Sequence, residues 1–103
     1  MTEARNRWRV ASSSWAGDYH IEGTDVVAAI ERALPRIAHD AIPQAAGRLE
    51  SANADWQSGI FGGIGGIVLE LTANKDGQKS THYAVIAAAP EELNGPRSFA
   101  IPA

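Results

Sequence analysis

The spacing of hydrophobic positions changes period several times along the chain, and each change marks a new element. Residues 7–14 read Arg7-Trp8-Arg9-Val10-Ala11-Ser12-Ser13-Ser14 and alternate with a period of two. Trp8 and Val10 therefore share one face, with Arg5, Arg7 and Arg9 on the other, which predicts a half-buried strand. Trp15-Ala16-Gly17-Asp18 carries turn chemistry and the short run Tyr19-His20-Ile21-Glu22 follows it, so the two segments predict a hairpin. Gly23-Thr24-Asp25 then offers a helix start, because a hydroxyl or carboxylate there accepts the unpaired N-terminal amides. Val27, Ile30, Leu34, Ile37 and Ala41 recur at steps of three and four and form one apolar stripe, with Glu31, Arg32, Arg36 and Asp40 off it. Pro35 inside the stripe predicts a kink or a restart. Pro43 predicts an end, after which residues 44–52 read as a weaker helix anchored by Leu49.

From residue 54 to residue 66 the pattern turns loop-like and rich in glycine. The stretch 67–73, Ile67-Val68-Leu69-Glu70-Leu71-Thr72-Ala73, is a strand by its aliphatic and β-branched content. Asn74-Lys75-Asp76-Gly77 is the best turn signal in the chain. A two-residue type I′ loop at Asp76 and Gly77 pairs Lys75 with Gln78, and sets Leu71 opposite His82, Leu69 opposite Ala84 and Ile67 opposite Ile86. One face of that ladder is then almost wholly apolar. The other pairs Val68 with Val85, Glu70 with Tyr83 and Thr72 with Thr81. Pro90 stops the second strand, and Phe99 with Ile101 suggests a short edge strand. The order strand, strand, helix, strand, strand predicts a single α+β domain over residues 1–103: a two-layer fold with a four-stranded antiparallel sheet and one kinked helix on one face.

Composition narrows the function more than it defines it. The chain has 103 residues, 45% of them apolar, and no cysteine, which excludes disulfide scaffolds, thiolate metal sites and a cysteine nucleophile. The longest uncharged apolar run, residues 59–69, contains five glycines and falls well short of the ~20 residues that span a bilayer. No secretory signal pattern opens the chain, so the expected location is cytoplasmic. A net charge of −3 and a pI near 5.5 argue against a broad nucleic-acid footprint.

Candidate chemistry is sparse. His20, His39 and His82 lack metal-ligand spacing; only His20 and Glu22 fall on one strand face, and no metal or other cofactor is expected. Ser12-Ser13-Ser14 lacks the frame of a serine nucleophile. The glycine-rich segment 58–67 matches neither phosphate-binding template, since no GxxxxGK[ST] occurs and the only GxG lacks its last glycine. Trp56 just before that segment, with Ile60 and Phe61 inside it, are candidate exposed anchors for a partner. Arg7 and Arg9 alternate with Trp8, so charge and aromatic stacking fall on opposite faces, and the arginines suit an edge or rim rather than a nucleic-acid strip.

The expected function is that of a small non-enzymatic protein-binding module, of the inhibitor, immunity or adaptor type, contacting a protein partner or a second copy of itself as a homodimer. Trp56, Ile60 and Phe61 would be loop anchors, Tyr83 and Val85 contacts on the free sheet face, and Arg7 and Arg9 rim charges. The alternative is a ligand-binding or enzymatic α+β domain with a pocket between helix and sheet near His82, His20 and Trp15.

Overall fold

A computed structural model describes residues 5–12 and 19–101. Six strands and one long helix follow in the order β1 (Asn6–Ser12), β2 (His20–Gly23), α1 (Val26–Ala41), β3 (Arg48–Gln57), β4 (Gly66–Lys75), β5 (Gln78–Ala87) and β6 (Arg97–Phe99). The strands form one antiparallel sheet in the order β2-β1-β5-β4-β3-β6, with α1 packed on one side. The architecture is α+β as expected, but the sheet has six strands rather than four. The turn proposed at 15–18 lies outside the described residues.

The β4–β5 hairpin has the register read from the sequence. Asp76 and Gly77 both take positive φ, 53° and 85°, as a type I′ turn requires, and Asn74 Oδ1 accepts the Gly77 amide at 2.9 Å. Lys75 therefore pairs with Gln78, and Ile67, Leu69 and Leu71 face Ile86, Ala84 and His82. Strand β1 divides its pairing: Asn6 to Arg9 bond to β2, whereas Val10 to Ser12 bond to β5. It thereby joins the N-terminal hairpin to the C-terminal one.

Helix α1 begins where expected. Asp25 is its N-cap, and its carboxylate accepts the Ala28 amide at 2.8 Å. The buried stripe is Val26, Ala29, Ile30, Ala33, Leu34, Ile37 and Ala41, so Val26 rather than Val27 leads the inward face. Of the kink or restart expected at Pro35, the restart does not occur: the helix is continuous through it. Pro35 and Glu31, whose carbonyl loses its partner, are both exposed, so water can satisfy that carbonyl. Ile42 ends the helix in extended geometry, as the following Pro43 demands. At the other end the chain enters α1 tightly; a Cβ on Gly23 would lie 2.9 Å from the Ala29 nitrogen.

The largest correction concerns residues 44–52. Only a single 3₁₀ turn, Gln44–Ala46, is helical, and Arg48 opens β3. Gly47 makes the switch at φ 98°, where a Cβ would strike the Asn74 carbonyl oxygen at 2.3 Å. After a register shift between Leu49 and Ser51, Ala52 and Ala54 point inward while Asn53 and Asp55 point out. Alanines on the inward face concealed this strand, because their weak β propensity is overridden by pairing on both sides, with β4 and β6.

The core is continuous. Ile21, Ile30, Ile37, Ile67, Leu69, Leu71 and Ile86 are fully buried, each contributing roughly 1.5–3 kcal/mol by leaving water. Helix α1 lies nearest β2, β5 and β1 rather than centrally over β4. Leu93, Phe99 and Ile42 join the same buried cluster. Trp8 sits in this core with its indole Nε1–H donating to the Glu92 carboxylate, whose other oxygen accepts the Ala89 amide at 2.9 Å. We predict that Leu71→Ala lowers unfolding free energy by about 2–5 kcal/mol and Asp25→Ala by about 0.5–2 kcal/mol, as measured by urea titration.

Candidate functional site

The side of the sheet away from α1 is uncovered by any described element. Its register brings Val68 beside Val85 and Glu70 beside Tyr83, with Ala11 of β1 flanking Val85. Val68 and Val85 are half-buried, and Tyr83 is 49% exposed, high for an aromatic ring on a strand. These residues line a shallow hollow of about 830 Å³, which also takes in Asp55, Ile60 and Arg97. Aliphatic, aromatic and charged groups of both signs are thus presented together. Outside the hollow, beside the β4–β5 turn, Asn74 and Lys79 hydrogen-bond the Glu50 carboxylate and hold its pKa below 4.5, with Lys79 Nζ at 3.1 Å.

The glycine-rich loop is folded rather than slack. Ile60 carbonyl oxygen accepts amides from both Gly63, at 3.2 Å, and Gly65, at 2.9 Å. Phe61, Gly62, Gly63 and Gly65 all take positive φ. Trp56 lies over this turn: a Cβ on Gly65 would fall 2.3 Å from the indole Cζ2, and the indole Nε1–H donates to the Ala88 carbonyl at 2.8 Å. Trp56 is therefore a half-buried brace, not the exposed anchor expected from the sequence. Phe61 is also half-buried and leans toward Gly66, and Ile60 is half-buried on the margin of the sheet hollow. The exposed apolar side chain of the loop is Ile64, at 77%. Sequence reasoning missed it, because nothing in the spacing separates Ile64 from Ile60 until the hydrogen bonds of the turn are known.

Arg7 and Arg9 point away from the core on β1, as their alternation with Trp8 requires. Arg7 Nε lies 3.2 Å from Glu22 Oε1, while Arg9 is paired across the ladder with His20. The three histidines do not converge. His82 bonds Ser80 Oγ at 2.9 Å near the β4–β5 turn, His39 Nδ1 lies 3.3 Å from Asp40, and His20 belongs to the edge strand β2. The pocket imagined near His82 and His20 is not assembled, since these two residues line separate hollows, and Trp15 lies outside the described residues. Among the described residues no group of three or more His, Asp or Glu is placed to hold a metal ion. No described helix is long and apolar enough to cross a membrane.

A second concavity, of about 520 Å³, opens where β2 meets the solvent flank of α1. Arg5, Arg7, Arg32 and Arg36 line it together with His20 and Glu22. The Arg36 guanidinium stands 5.0 Å from the centre of the Tyr19 ring. Burial pushes the Tyr19 hydroxyl above its ordinary 10.0; Arg36 opposes the rise and Asp40 adds to it.

In comparisons with known proteins, no family model, no curated protein and no solved structure matches the chain.

Two tests follow from this geometry. Gly65→Ala should destabilise more than Gly62→Ala in thermal melts. Gly62 has open space around it and the substitution there costs only about 1–2 kcal/mol of left-handed backbone strain, whereas crowding against Trp56 adds about 1–3 kcal/mol. For Tyr19, folding favours the neutral phenol. Its contribution is complete below pH 10.0 and is lost as pH rises through the higher folded-state value. Urea titrations of Tyr19→Phe, which has nothing to ionise, should show a flatter loss of stability on the alkaline limb than those of the parent protein.

Proposed function

We propose that the chain is a non-enzymatic protein-binding module that docks through the uncovered face of its sheet. The observation that carries this reading is the shallow hollow on that face, with Tyr83 about half exposed on the rung next to the Val68–Val85 pair. Aromatic side chains of this kind dominate binding energy when a partner excludes water around them. Asp55, Glu70 and Arg97 supply the mixed charges of a rim, which set orientation and specificity more than affinity. Ile60 connects the face to the glycine loop, where Ile64 offers a further apolar contact, and Arg7 and Arg9 extend the charged margin along β1. An inhibitor, immunity or adaptor role fits such a surface. The contacting partner is another protein or a second copy of the chain.

The test compares the parent protein with a Tyr83→Asp/Val85→Asp variant by analytical ultracentrifugation and by affinity capture with mass spectrometry. Val85 is half-buried and Tyr83 faces Glu70, so the variant should lose about 1–3 kcal/mol, and association is measured well below its melting temperature. A stoichiometric protein or self-association seen with the parent should be lost in the variant, and should survive an Arg48→Ala control. Association that persists undiminished in the variant, or the absence of any saturable association in the parent, overturns the reading.

A further inference from the structure

The arginine-lined cleft between β2 and α1 has a charge pattern unlike the rest of the molecule. The chain carries nine lysines and arginines against twelve acidic residues, yet four of the nine line this one concavity, with Glu22 the one carboxylate among its described lining residues. They come from separate parts of the fold: Arg5 precedes β1, Arg7 lies within it, and Arg32 and Arg36 sit one turn apart on α1. Only folding brings them together. Like charges at a spacing of four on a helix oppose each other by a few tenths of a kcal/mol, and Arg5, Arg7 and Arg9 repeat the same sign along one strand face. The arrangement does not serve the fold: all four arginines are exposed and none packs in the core.

Their partners are few. Glu22 engages Arg7, and Tyr19 engages Arg36. Arg5 and Arg32 make no ion pair among the described residues. Guanidinium groups present planar donor pairs that fit the oxygens of a phosphoryl group bidentately, and they keep their charge at any physiological pH. The cleft, at about 520 Å³, lies within the roughly 300–1,000 Å³ typical of small-molecule sites. Its wall includes Ala33 and Pro35, which give an apolar surface beside the donors.

We propose that this cleft binds a small phosphorylated ligand, with Arg5 and Arg32 as its principal phosphoryl contacts and Arg7 and Arg36 completing the positive field. A multiply charged phosphoryl group is favoured over a single carboxylate, because four arginines face one carboxylate among the described lining residues. The Arg7–Glu22 pair sits at the mouth and fixes the orientation of one guanidinium. This site is distinct from the sheet hollow and shares no lining residue with it, so its test is independent of the docking reading above.

Inorganic pyrophosphate is the probe, titrated into the full chain and followed by calorimetry and by amide chemical shifts in NMR, with citrate as a carboxylate control of high charge. Saturable binding of pyrophosphate is expected, at least fivefold tighter than that of citrate, with shifts concentrated in β2 and the middle of α1. Arg5→Gln and Arg32→Gln should each weaken it about five- to tenfold, as loss of a charge-assisted contact at an exposed site does. The control pair Arg48→Gln and Lys75→Gln, exposed and outside both concavities, should leave it unchanged. Since Arg5 and Arg32 are exposed, unaltered melting temperatures will show that the fold is intact. No saturable binding, binding no tighter than that of citrate, or equal weakening by the control pair overturns the proposal.

Discussion

One constraint governs the rest of this fold: the inward side of the β4–β5 hairpin must be kept from water, and α1 alone is too short and too far to one side to do it. The hairpin turn fixes which side is apolar, since both of its central residues take positive φ and hold Ile67, Leu69 and Leu71 in register with Ile86, Ala84 and His82. A slip of one residue would turn every one of these side chains to the opposite face. Helix α1 covers the β2, β1 and β5 part of that surface. The remainder is closed by Ile42 after the helix, Leu93 after β5 and Phe99 on β6. The C-terminal segment is thus part of the core, and Glu92 ties it to the N-terminal strand through Trp8.

How much of this was legible follows from what kind of signal each element leaves. The β4–β5 hairpin and the start of α1 were read correctly because their information is local: a two-residue turn with Gly77, and a capping Asp25 ahead of a 3.6-residue stripe. β3 was missed because its inward positions are Ala52 and Ala54, which carry little strand preference and become strand only when β4 and β6 pair with them. The restart allowed for at Pro35 does not occur, for a related reason. The cost of a missing hydrogen bond depends on whether water reaches the orphaned carbonyl, and that is a property of the folded surface rather than of the sequence.

The candidate binding residues divide along the same line. The ladder register alone sufficed to place Tyr83 and Val85 on the free face, and alternation alone sufficed to turn Arg7 and Arg9 outward. Trp56 and Phe61 were assigned by residue type to an exposed loop, yet a large ring next to several glycines is drawn against the backbone those glycines leave bare. Gly65 and Gly66 provide that space, and the rings occupy it. Ile64, with no such neighbour to cover it, is left in water. The arginine cleft had no sequence signal at all, because Arg5 and Arg7 are separated from Arg32 and Arg36 by the hairpin, β2 and the first half of the helix.

The two concavities follow from how the sheet ends. β2 has four residues and β6 three, so both edges are short, which limits pairing with another chain's strand. At the β2 edge the brevity of the strand leaves the flank of α1 uncovered, and the side chains of Arg32 and Arg36 extend into the gap alongside Arg5 and Arg7. At the other edge β6 spans only part of β3, and Arg97, whose guanidinium stands 5.9 Å from the centre of the Phe99 ring, borders the sheet hollow. Extending either strand would cover these charged groups or force them to pair. Short edges therefore protect the sheet from aggregation and, by the same geometry, leave open the surfaces on which recognition can be built.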